Sequence, residues 1–175
     1  MKRIDLGTVT KIFSVVLLLC LFIIPDLYAG KVQLPEGTEI KVRFDKSMKI
    51  SSGKLTKGVP LAITLDEPII IGGRVIVEKG TAGKAEVLEV KPASKPGKGG
   101  YLKIGFVELE PKGMFTRADG PTIKLSGEIE KKGKGKKLLS YLFIFGLLIK
   151  GGQAEIPADV VYDAKIAETV VMQSE

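Results

Sequence analysis

The sequence predicts a mainly β protein: a small barrel or sandwich of about seven or eight strands, with one short apolar helical insertion near 138–149. Three observations carry this. Short runs alternate apolar and charged residues with period two. Glycine-rich turns separate those runs. No long stretch repeats apolar residues at helical spacing.

Residues 38–44 (TEIKVRF) set Ile40, Val42 and Phe44 on one face and Glu39, Lys41 and Arg43 on the other, the pattern of a half-buried strand. Leu61, Ile63 and Leu65 repeat it. Residues 68–71, then Gly72-Gly73, then residues 74–78 read as a two-residue hairpin, because paired glycines accept the positive φ such turns need. Residues 82–90 and 101–110 are strand-like but change phase midway, which predicts a bulge or bend in each. Residues 91–100 (KPASKPGKGG) form a loop by composition. Residues 122–130 alternate again, with Ile123, Leu125 and Ile129 inward.

An internal repeat marks the strand entrances. Leu34-Pro35-Glu36-Gly37-Thr38 and Val77-Glu78-Lys79-Gly80-Thr81 each lead into a strand, and Ile156-Pro157-Ala158-Asp159-Val160 is a degenerate third copy. Such segments make tight turns that feed strands.

The first 29 residues read as an address. Lys2, Arg3 and Lys11 precede thirteen uncharged residues, 12–24 (IFSVVLLLCLFII), and Pro25 and Leu27-Tyr28-Ala29 follow. That is the order of a secretory signal peptide with cleavage between Ala29 and Gly30, and the apolar run is short for a membrane span. An uncleaved anchor is the alternative, since Leu27 is larger than the residue preferred there. A lipid-modified Cys20 is disfavoured, because Leu19 stands immediately before it. Cleavage would leave a chain without Cys, whose stability rests on its own core. The expected organisation is a signal peptide over 1–29, a β-domain over 30–130, a basic and apolar insertion over 131–152, and a final strand region over 153–175.

Composition narrows the chemistry. The chain has no His, no Trp and 1 Cys, with Lys+Arg 27 against Asp+Glu 20, a formal net charge of +7. Without His there is no imidazole base, no Ser-His or Cys-His nucleophile pair and none of the usual zinc sites. Glu108 and Glu110 share a strand face but have no Trp platform for sugar stacking, so they read as solvated. Residues 96–100 (PGKGG) lack the Gly-Lys-Ser/Thr ending of a phosphate loop and read as a turn. No catalytic residue, metal ligand or cofactor site emerges.

Residues 34–44 (LPEGTEIKVRF) and 51–90, with their Gly hairpin and second Gly-Thr strand entrance, resemble the β-domain of TrbI-like conjugal transfer proteins, components of type IV secretion scaffolds. The pattern also occurs in a broader group of small exported bacterial β-proteins. The resemblance implies an envelope β-barrel domain. The cytoplasmic tail, membrane helix and proline-rich linker of the scaffold proteins have no counterpart here, so a complete scaffold is not implied.

The strongest local anomaly is the segment after residue 130. Lys131, Lys132, Lys134, Lys136 and Lys137 are followed by twelve uncharged residues, 138–149 (LLSYLFIFGLLI), and closed by Lys150. Twelve helical residues reach ~18 Å, short of the ~30 Å hydrocarbon core. A lone strand would leave its backbone unsatisfied in lipid. The segment is therefore either a helix packed over one end of the barrel or an insertion into a membrane leaflet or a partner. The resemblance favours the second, since TrbI-like barrels carry a helical insertion that reaches the outer membrane. On that reading Leu142, Phe143, Phe145 and Leu147 make the contact and the lysines meet lipid phosphates. Nucleic acid is disfavoured as a partner, because no aromatics interleave with the lysines.

Together these readings predict a non-enzymatic, exported envelope protein, periplasmic and associated with the outer membrane. Its partners would be a bacterial membrane surface or envelope proteins, and self-association into a homo-oligomer is compatible with them. The competing reading is a soluble periplasmic module that holds a small ligand in the barrel mouth.

Overall fold

A computed structural model describes residues 30–135 and 150–174 of the chain. From Lys31 onward the described residues form one compact unit. Among the described residues fourteen strands run in chain order: β1 (Lys31–Leu34), β2 (Glu39–Phe44), β3 (Ile50–Ser51), β4 (Pro60–Leu65), β5 (Ile69–Ile71), β6 (Arg74–Val77), β7 (Ala82–Lys91), β8 (Tyr101–Leu109), β9 (Phe115–Arg117), β10 (Ile123–Ser126), β11 (Glu128–Lys132), β12 (Glu155–Ile156), β13 (Val161–Ile166) and β14 (Val170–Ser174). The mainly β class stands, and every regular element among the described residues is a strand. The helix expected over 138–149 lies outside those residues.

The principal sheet closes on itself. Its order is β13-β2-β4-β7-β8, and β8 pairs on its far side with β11 and then with β10, which pairs in turn with β13. Gly127, at φ +126°, bends β10 and β11 into one continuous staff, so six staves make a closed antiparallel barrel. Each neighbours the next in sequence, so the barrel is an up-and-down meander, and pairing of β2 with β13 closes it. Closure leaves the barrel wall without a free edge.

Alternation fills the interior. Along β2 and β4 every second residue is buried, and Ile40, Val42, Phe44, Leu61, Ile63 and Leu65 are each no more than 4% exposed. Ile104, Phe106, Ile123, Leu125 and Ile166 complete the core, as expected of a barrel this narrow. The Phe44 ring stands edge-on to Tyr162 at 5.5 Å and lies 6.4 Å from Phe106. Full burial of such side chains stabilises by ~1.5–3 kcal/mol each.

The phase changes in β7 and β8 are bulges: pairing shifts between Lys84 and Ala85 and again between Val87 and Glu89. The hairpin turns at Gly72 and Gly73, whose φ values are 58° and 77°. In the first two repeat copies Gly37 and Gly80 adopt φ of 78° and 83°. Thr38 and Thr81 donate their hydroxyls to the carbonyls of Pro35 and Glu78, both at 2.7 Å. The third copy departs from this turn. Val160 has no hydroxyl to donate, and the Pro157 carbonyl accepts instead from the Tyr162 hydroxyl at 2.6 Å.

Fourteen strands exceed the seven or eight expected, because β3, β5, β9 and β12 hold only two or three residues, too few for alternation to register. These short pieces dress the two ends. The sheet β1-β14-β9 and the hairpin β5-β6 belong to the connections at one end; β3-β12 belongs to those at the other.

Candidate functional site at the basic end of the barrel

In a meander, alternate connections share an end. At the end where β2 and β7 begin lie residues 31–38, 66–81, 110–122 and 167–174, with five basic and seven acidic residues among them. At the other end, among the described residues, lie 45–59, 92–100, 133–135 and 150–160, with eight lysines against three acids. The basic excess of the chain is thus concentrated at one mouth of the barrel. Lys46, Lys49, Lys54, Lys57, Lys95 and Lys98 join Lys131, Lys132 and Lys134 there, and local sequence pattern assigns none of the six to the site.

The expected site residues divide. Lys131 and Lys132 end β11, and Lys134 follows; all three are exposed at this mouth. Lys131 lies opposite the buried Leu102, on the inward face at the rim. Lys132 lies opposite Tyr101, which lies opposite Lys91 on its other side. The two ammonium groups stand 6.0 and 5.8 Å from the Tyr101 ring centroid, within range of attraction to its π face. A hydrogen bond to Glu89 holds Lys91 above the ordinary 10.5. Partial burial, then Glu130, raises the Tyr101 phenol above 10.0. At neutral pH the row therefore presents two cations about a neutral ring. Lys136, Lys137, Leu142, Phe143, Phe145, Leu147 and Ala29 lie outside the described residues. Gly30 is described, half-buried ahead of β1.

The points where 136–149 leaves and rejoins the described chain are fixed together. The Gly152 amide donates to the Lys134 carbonyl at 2.9 Å, Gly133 to Gly100 at 2.8 Å, and Gly100 to Gly152 at 2.9 Å. Three strands of backbone meet so closely that side chains are excluded. A Cβ on Gly133 would fall on the Gly152 carbonyl oxygen, one on Gly99 on that of Gly133, and one on Gly151 on that of Lys98. Gly97 to Gly100, which read as a turn, and Gly133, between Lys132 and Lys134, are halves of one packed neck. Beneath it Ser52, fully buried, donates to the Gln153 side-chain carbonyl at 2.8 Å and accepts from the Ala154 amide at 2.9 Å. Gln153 also accepts from the Ala93 amide at 3.0 Å. The hydroxyl is fully used as a structural tie.

A groove of about 470 Å³ opens beside β3 and β12 at this same end. Among the described residues no group of three or more carboxylate or cysteine side chains comes together. What the basic end offers chemically is a field: clustered cations with few acids attract an anionic surface and orient the molecule towards it.

No family model, curated protein or solved structure matches this chain.

Proposed function

We propose that this chain is a non-enzymatic envelope domain, held by its basic barrel end against an anionic membrane surface or an envelope assembly. The observation that carries the reading is the division of charge between the two sets of connections. Each lysine near an anionic leaflet contributes about 1 kcal/mol, less in salt. Charge alone gives reversible attachment. The glycine neck ties Lys134 to Gly152, the described residues that flank the apolar run 138–149, at this same end. Burial of Leu142, Phe143, Phe145 and Leu147 would add ~1.5–3 kcal/mol each. Export through the 1–29 segment, an outer-membrane association and membership of a TrbI-like assembly belong to this same proposal.

The test is flotation of the protein with anionic and with zwitterionic vesicles. We expect binding to the anionic vesicles only, falling with salt. Reversing Lys132, Lys134 and Lys98 to Glu should abolish it, and reversing Lys31, Arg74 and Lys112 at the other end should not. Phe143→Asp with Leu147→Asp should leave a folded protein that no longer floats in high salt. Loss of the folding transition in that double variant would instead assign the run to the core. Equal loss from both lysine sets would remove the proposed polarity. The second reading, a soluble ligand-binding module, draws on a separate observation, the groove at the same end.

A further inference from the structure

The groove lies between two hydrogen-bonded turns and a very short strand pair. The Met48 amide donates to Asp45 at 2.9 Å, and the Lys54 and Leu55 amides donate to the Ser51 carbonyl at 3.0 and 3.2 Å, so both walls are fixed by backbone. Between them β3 and β12 set Ile50 directly opposite Ile156, each 3% exposed. Ala158, 9% exposed, and the half-buried Met48 extend this apolar floor. Alanine leaves space where a larger residue would fill the channel, and methionine adapts to irregular apolar shapes. The rim is different. Lys49 and Lys54 are exposed along it, with Glu155 as the acid among the lining residues. No ion pair involves either lysine among the described residues.

We infer that this groove binds a single-chain anionic amphiphile, its alkyl chain on Ile50, Ile156, Ala158 and Met48 and its charged head between Lys49 and Lys54. The volume of about 470 Å³ sits towards the lower part of the ~300–1,000 Å³ range of small-molecule sites, which suits one chain better than two. Complementarity selects the sign of the head. The rim carries more lysine than acid, and it belongs to the end with eight lysines against three acids among the described residues. A cationic or uncharged head would forgo that field. This site does not depend on vesicle attachment, since every residue in it is described and none comes from 138–149.

The test is calorimetric titration of the full chain with monomeric amphiphiles and no vesicles. The probes are octanoate, decanoate and dodecanoate below their micelle concentrations, and decyltrimethylammonium as the opposite charge. Each added pair of methylenes should tighten carboxylate binding about tenfold until the groove is filled. Lys49→Gln with Lys54→Gln, both exposed positions that should leave the melt unchanged, should weaken decanoate about tenfold. Ala158→Leu should block the channel. Should that variant unfold, a nitroxide at the tail of decanoate gives a second reading on the native protein. It should broaden the methyl signals of Ile50, Ile156 and Ala158 before those of Ile70 at the opposite end. Affinity independent of chain length, equal affinity for decyltrimethylammonium, an unaffected double lysine variant, or broadening that begins at Ile70 would each overturn the inference.

Discussion

The two ends of this barrel hold their loops in place by different means. At the acidic end the ties are side chains. Arg117 donates to the Thr122 carbonyl at 2.7 Å, to Asp119 at 2.8 Å and to Glu168 at 3.0 Å, so one guanidinium joins β9 to the approaches of β10 and β14. At the basic end the ties around the neck are backbone, with amides of Gly100, Gly133 and Gly152 meeting carbonyls, and with no room for a Cβ at Gly99, Gly133 or Gly151. Lysines cannot tie lysines. An end that concentrates one sign of charge has to be held by neutral groups, and the backbone supplies them without using any lysine side chain. The acidic end, where the signs are mixed, can use ion pairs. The difference teaches that charge segregation and glycine packing here are one arrangement.

The comparison can be broken most completely through the wall that both ends share. Val42→Asp places an unpaired carboxylate at a fully buried position and should abolish the cooperative unfolding transition. Lys41→Asp, one residue away on the outer face, should cost less than ~1 kcal/mol in a thermal melt. Equal tolerance at both would overturn the strand phase.

A smaller effect separates the ends. Gly133→Val drives a side chain into the Gly152 carbonyl and should cost on the order of 3 kcal/mol in denaturant unfolding. Gly72→Val at the acidic end has nothing within 4 Å of its Cβ and bears only the strain of φ +58°, so about 1 kcal/mol is expected. A reversed order would mean that the neck yields. Arg117→Met sharpens the contrast from the other side. Four charge-assisted bonds are lost at a side chain only 12% exposed, so about 2 kcal/mol should disappear, with vesicle binding unchanged.

The smallest expected effect is in pH dependence. A hydrogen bond from Lys84 at 3.1 Å holds the Glu108 carboxyl below its ordinary 4.5. Its contribution is present above that value and is lost as pH falls through the depressed one. Lys84→Met should therefore flatten the acid limb of the stability curve slightly, and an unchanged limb would remove Glu108 from it.

The wall is legible in the sequence and the ends are mostly illegible. The inward faces of β2, β4 and β10 follow from alternation alone, and the bulges in β7 and β8 from breaks in it. Gly72-Gly73 specifies its own hairpin. Local pattern cannot report that β13 returns to β2, because pairing partners distant in the chain leave no periodic trace. The same gap hides the basic end. Lys46 to Lys57, Lys95 to Lys98 and Lys131 to Lys134 are separate runs in the sequence, and only the alternation of connections in a meander gathers them. Once the order of the strands is known, summing charge over every second connection exposes the polarity. The neck is hidden for a related reason, since glycines in a loop and glycines that pack against one another look alike in one dimension.

Closure of the barrel also bears on the order of folding. β2, the first staff, pairs with β13, the last, and β1 pairs with β14. Both pairings join the beginning of the chain to its end, so the seam cannot form until nearly all of the chain is present. Topology of this kind slows folding, because the loop must close before the contact rewards it. In the interval β2 presents an open edge to solvent, with Glu39, Lys41 and Arg43 on its outer face. Those three charges discourage the edge from pairing with a neighbouring chain. The outer face of β2 thus acts before the fold exists, keeping the first staff soluble until the last arrives.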